Sequence, residues 1–133
     1  MASETVGRYM SAAPTVVAKS LTLAGAHQVM REKGIRHLPV VEEGRLVGVV
    51  SQRDLYLLET LPGVDAAREA VEEAMTDEPY AVPPDAPLES VVEGMVAKRR
   101  GSAVVVDREA VVGIFTSTDA MKALLFLLRG GGA

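Results

Sequence analysis

Two stretches of this sequence combine residue types and spacing that can do chemistry. Ser51-Gln52-Arg53-Asp54 follows the apolar run Gly48-Val49-Val50, and Thr116-Ser117-Thr118-Asp119 follows Gly113-Ile114-Phe115. In each, a strand-like segment hands over to a helix at a hydroxyl residue, with an aspartate three positions later. One reading is an N-cap, in which the hydroxyl accepts a bond from the amide three residues on and the carboxylate sits in the first helical turn. The other uses the same geometry as a nucleoside site. Free amides at a helix start attract a phosphate, the hydroxyl adds a donor, and a carboxylate at a strand's end can accept both hydroxyls of a ribose. The glycines ahead of each run are expected to let a ligand approach the backbone.

Other chemistry is thinly supported. There is no cysteine, so disulfides, thiol nucleophiles and cysteine metal sites are all absent, and the two histidines lack ligand spacing. His27 falls on a buried helical face, where a packed, hydrogen-bonded role is expected. No nucleophile lies beside a base and no carboxylates pair at hydrolytic spacing, so no catalytic residue and no metal site is expected. A net charge of −4 argues against a nucleic-acid partner. No apolar stretch is long enough to span a bilayer, and no signal-like start opens the chain, so a cytoplasmic protein is expected.

The elements that position the two motifs are themselves duplicated. With an offset of 65 residues and no gap, Val6 falls on Val71, Met10 on Met75, Pro14 on Pro79, Leu23 on Leu88, Met30 on Met95, Val40 on Val105 and Val47 on Val112. Within 133 residues this gives two half-size units that must fold together: a first repeat over 5–60, a linker and helix start over 61–70, a second repeat over 71–128, and a flexible glycine-rich tail over 129–133. Leu23, Ala26, His27 and Met30 mark a helix face, repeated by Leu88, Val91, Val92 and Met95. Leu38 to Val41 and Leu46 to Val50 are β-rich runs joined by a turn with Gly44. Asp65 can cap a further helix with Ala67, Ala70, Val71 and Ala74 on its apolar stripe. Residues 1–5 read as a loose start, and the methionines at core positions read as filler. Each unit is therefore β-α-β-β-α, an α/β (α+β) fold.

The last helix of each repeat, near 53–60 and 118–128, is apolar around more of its circumference than one core contact needs. Leu55 to Leu58 and Leu124 to Leu128 carry this surplus. A homodimer through these helices is expected; the alternative is that the same residues complete the intrachain core.

Gly34-Ile35-Arg36-His37-Leu38-Pro39-Val40-Val41, the Gly44-to-Ser51 hairpin and Asp54 resemble the cystathionine β-synthase (CBS) domain. Residues 71–122 resemble a second copy through Met75-Thr76, Pro79 and Gly113-Ile114-Phe115-Thr116-x-x-Asp119. The resemblance implies a tandem pair packed through its sheets about a pseudo-twofold axis, binding adenosine nucleotides or related adenosyl ligands between the units. It implies regulation of a partner protein by that ligand, with no cofactor required. By position, Asp54 and Asp119 would hold ribose, and Ser51, Thr116, Arg36 and His37 would lie near phosphate or ribose. Thr15, Val16 and Val17, with Tyr80, Ala81 and Val82, would line adenine pockets. Gly101-Ser102 replaces Arg36-His37 in the second copy, so the resemblance implies two unequal sites. Lys98, Arg99 and Arg100 either compensate or form an ordinary helix end. A structural dimerisation module without a nucleotide is the alternative.

Overall fold

The β-rich runs of each repeat close into hairpins. A computed structural model describes residues 4–131. In chain order the elements are α1 (Val6–Tyr9), β1 (Ser11–Ala12), β2 (Val17–Ala18), α2 (Leu23–Lys33), β3 (His37–Glu42), β4 (Arg45–Ser51), α3 (Gln52–Glu59), a 3-10 turn at Val71–Glu73, β5 (Ala81–Val82), α4 (Leu88–Lys98), β6 (Ser102–Asp107), β7 (Ala110–Thr116) and α5 (Ser117–Leu128). Each hairpin turns through two residues of positive φ, Glu43-Gly44 and Arg108-Glu109. Such turns match the twist of the flanking strands. The expected β-α-β-β-α order is present in both repeats.

The chain divides into two compact units that do not follow the repeats: 15–79, and 1–14 together with 80–133. In the first unit β2 pairs in parallel with β3, and β3 in antiparallel with β4. Thr76 then adds a bridge to Val49 at the edge of β4, through two backbone bonds of 2.9 and 3.1 Å. The core is Val17, Leu23, Ala26, Met30, Leu38, Val40, Val50, Leu55 and Val71. In the second unit the strand order is β1-β7-β6-β5, with β1 drawn from the start of the chain. Its core is Val6, Val82, Leu88, Val91, Met95, Ala103, Val105, Phe115 and Ala123.

Three expectations need correction. The helix predicted after Asp65 does not form; Asp65 instead closes a turn through its bond from the Ala67 amide, and the chain beyond it runs antiparallel to 19–24. Leu23 and Ala24 donate to Glu69 and Ala66, and Val71 donates to Leu21, so tertiary pairing takes the backbone groups a helix would have used. The start of the chain is tied down at Thr5, which bridges Pro87, and at Glu4, which accepts from Leu88; residues 1–3 lie outside the described residues. Of the glycine-rich tail, Gly130 (φ 73°) and Gly131 cap α5 by bonds to Leu127 and Phe126, while 132 and 133 lie outside the described residues.

Gly48 and Gly113 make room for methionine rather than for a ligand. A Cβ on Gly48 would lie 2.5 Å from Met75 Sδ and 2.8 Å from the Thr76 carbonyl oxygen, and one on Gly113 would collide with Met10 Sδ. Overpacking against a backbone carbonyl cannot relax by side-chain rotation. Gly48→Ala is therefore expected to cost about 1–3 kcal/mol in urea denaturation. A wild-type midpoint would remove this packing role.

Candidate functional site

Ser51 closes β4 and caps α3. Its Oγ accepts from the Asp54 amide at 3.1 Å, and Asp54 Oδ2 accepts from the Ser51 amide at 2.8 Å, a complete capping box. The Gln52 amide donates to the Arg36 carbonyl at 2.9 Å, and His37 pairs with Ser51 across the hairpin. Arg36 and His37 thus flank the start of α3, Arg36 exposed and His37 half-buried. The parallel register of β2 on β3, Val17 opposite Val40, directs Thr15 and Val16 toward this same end of the sheet. Val17 is buried in the core, whereas Val16 is exposed. Thr15, Val16, Val17, Arg36, His37, Ser51 and Asp54 therefore share one compact unit.

The second copy repeats the scaffold with different occupancy. Thr116 caps α5; its Oγ1 accepts from the Asp119 amide at 3.3 Å. Asp119 Oδ2 accepts from the Thr116 amide at 2.9 Å and from the Thr116 hydroxyl at 3.1 Å. A third donor, the Ser11 hydroxyl, reaches Asp119 Oδ1 at 3.0 Å. Asp119 is buried, unlike half-buried Asp54. Ser102, in the place of His37, is buried opposite Thr116.

Tyr80 turns its ring to α4, where Lys98 Nζ lies 4.3 Å from the ring centroid and Gly94 leaves space for the hydroxyl. Its carbonyl accepts from Val104 at 2.8 Å, Ala81 is exposed and Val82 is in the core. Lys98 ends α4, Arg99 is its left-handed C-cap (φ 54°), and the Arg100 amide bonds back to Met95. These three residues form a basic helix terminus, where positive charge complements the helix dipole.

Ser11 escapes sequence reasoning as a site residue, although its signal is present: Met10-Ser11 recurs as Met75-Thr76 at the repeat offset. His27 behaves as expected, with Nε2 2.6 Å from Glu59 Oε2 and its ring beside Tyr56. Among the described residues no cluster of three or more His, Asp or Glu can hold a metal, and no helix is long and apolar enough to cross a membrane.

Comparison with known proteins places these arrangements. The family model described as CBS domain matches residues 6–58 and 71–126. A proposed acetoin utilization protein (AcuB) from Vibrio cholerae has a solved structure with TM-score 0.86 and 29% identity, covering 96% of this chain and 95% of its own. The CBS domain pair of protein MJ0100, solved in complex with 5′-methylthioadenosine and S-adenosyl-L-methionine, gives TM-score 0.81 and 28% identity over 99% of this chain and 100% of its own. CBSX2 in complex with AMP gives TM-score 0.78 and 28% identity over 94% and 98%. Homoserine O-acetyltransferase of Methanohalobium evestigatum is 30% identical over 110 residues, 81% of this chain, but the chain spans only 22% of that protein's length.

Proposed function

From a chain that belongs to the CBS domain family in two copies, 6–58 and 71–126, we propose a regulatory module that binds an adenosyl ligand, has no catalytic activity of its own and signals ligand occupancy to a partner protein. The observation that carries this reading is Asp54. Its capping duty uses Oδ2 and leaves Oδ1 without a bond from any described residue, at the end of a sheet where Arg36, His37, Thr15 and Val16 also converge. Oδ1 would accept a ribose hydroxyl, and Arg36 supplies a planar donor fork suited to phosphate. Two similar proteins are solved with adenosine-containing ligands, the CBS domain pair of MJ0100 with 5′-methylthioadenosine and S-adenosyl-L-methionine and CBSX2 with AMP. The ligand would act by preferring one of two conformations that the partner distinguishes, an effect limited by its difference in affinity for the two.

A second reading has its own support, because both capping boxes are complete without a ligand. On that reading the chain is a dimerisation module. Thermal shift separates the two. AMP, ADP, ATP or S-adenosylmethionine at about 100 times its dissociation constant stabilises a binder by about 2.7 kcal/mol, several degrees for a chain of this size. GMP and GTP serve as controls. Asp54→Ala is expected to cost about 1 kcal/mol of stability and to weaken binding by about 1.5–3 kcal/mol. No shift with any adenosyl ligand, in folded protein free of co-purified nucleotide, would favour the dimerisation module.

A further inference from the structure

The two capping carboxylates differ in how much of their accepting capacity is already used. An ionised carboxylate offers about four acceptor positions over its two oxygens. Among the described residues, Asp54 receives one bond, from the Ser51 amide to Oδ2. Asp119 receives three: the amide and hydroxyl of Thr116 on Oδ2, and the Ser11 hydroxyl on Oδ1. Both Asp119 oxygens are therefore engaged, on a residue only 7% exposed.

A vicinal diol donates two hydrogen bonds and needs two acceptor positions facing it. Asp54 has Oδ1 wholly available. Asp119 can match it only by releasing Ser11, which is not free to drift: β1 holds it in register with Ile114, and Ala12 with Gly113. Thr76 takes the corresponding place beside Val49, with its backbone pinned in the same way, yet its hydroxyl makes no bond to Asp54. The surroundings differ in the same sense. The Asp54 copy carries Arg36 and His37 at the end of the sheet, and the Asp119 copy carries Gly101 and the buried Ser102.

We propose that Ser11 is a specificity-determining positioning residue that keeps Asp119 satisfied from within the protein, so that a nucleoside ligand bearing a vicinal diol and an anionic group is taken by the Asp54 copy alone. The proposal rests on the nucleoside reading above and decides which copy serves it.

Isothermal titration with AMP tests it through stoichiometry, which a merely structural role for Ser11 would not raise. The wild type is expected to bind one AMP per chain. Asp54→Ala should weaken that binding about tenfold or more, Asp119→Ala by less than about twofold, and 2′-deoxy-AMP should bind about tenfold more weakly than AMP. Ser11→Ala should admit a second AMP, which Asp119→Ala in the same chain removes, while Ser11→Thr, which keeps the hydroxyl, should stay at one. Two equal AMP sites in the wild type, a single site that depends on Asp119, or an unchanged stoichiometry in folded Ser11→Ala would each overturn the proposal. AMP bound by none of these proteins would instead remove the nucleotide reading beneath it. The wild type and the two aspartate variants decide between these outcomes even if a Ser11 variant fails to fold.

Discussion

Phe115→Val is expected to destabilise the protein by about 2–3 kcal/mol and Ala103→Leu by about 1–3 kcal/mol, yet the double variant should lose far less than the sum. The two residues face each other across β6 and β7, and both are fully buried. Their counterparts at the repeat offset are Leu38 and Val50, which face each other across β3 and β4 and are equally buried. Each sheet thus fills one cross-strand space with a pair of comparable total volume, Leu with Val in one copy and Ala with Phe in the other. Shrinking Phe115 alone leaves a cavity, and enlarging Ala103 alone overpacks the space. Making both changes rebuilds the Leu–Val pair already used in the first copy. Urea denaturation of the four proteins should give a coupling of about 1 kcal/mol or more, within the range seen for residues in contact. Additive losses would mean that the two positions pack independently. Against a total stability of about 5–15 kcal/mol, either single change is a large fraction.

The second large effect concerns α5. Its core-facing positions are Ala120 and Ala123, whereas Met121, Leu124, Leu125, Phe126, Leu127 and Leu128 are exposed, Leu124 at 56% and Leu127 at 40%. In α3 the surplus divides: Leu55 is fully buried and Leu58 packs on the core, leaving Tyr56 and Leu57 exposed. Apolar surface of this extent on a small chain suits a second copy, and we propose a homodimer through α3 and α5. Light scattering of the wild type should then give twice the chain mass of 14.1 kDa. Leu124→Glu with Leu127→Glu should give the single-chain mass with unchanged helical ellipticity, since neither side chain belongs to the core. A variant that still dimerises would place the interface elsewhere, and one that unfolds would assign these residues to the core.

Much of this architecture is legible in the sequence because the signals are local and doubled. The spacing of Leu23, Ala26 and Met30 marks α2, the Glu43-Gly44 turn sets the first hairpin, and hydroxyl-x-x-Asp marks two capping boxes. What local pattern cannot show is which sheet edge a short segment joins. Ala67, Ala70, Val71 and Ala74 have helical spacing, but the Val71 and Glu72 amides and the Ala66 and Glu69 carbonyls of that stretch pair with 19–24, and Val71 is buried in the core. The roles of Gly48 and Gly113 are hidden for the same reason, since the methionines that press on them lie 27 positions downstream and 103 upstream. Ser11 shows the limit most plainly. As a residue type it matches Thr76, and only the placed strand reveals that one hydroxyl meets a carboxylate and the other does not.

The unit completed by β1 has an implication for the order in which the protein is made. Ser11 and Asp119 stand 108 positions apart, and the whole of 15–79 lies between the two segments that build their unit. During synthesis, 15–79 has all its residues once Pro79 has emerged, whereas its companion must wait for the last helix. Until the stretch from Val82 to β7 has been made, Val6, fully buried in the finished protein, and the two-residue edge at Ser11–Ala12 lack their partners and remain open to off-pathway association. A contact spanning so much chain also closes slowly. The unit that contains α1 and β1 is therefore completed only after the whole of 15–79 has been made.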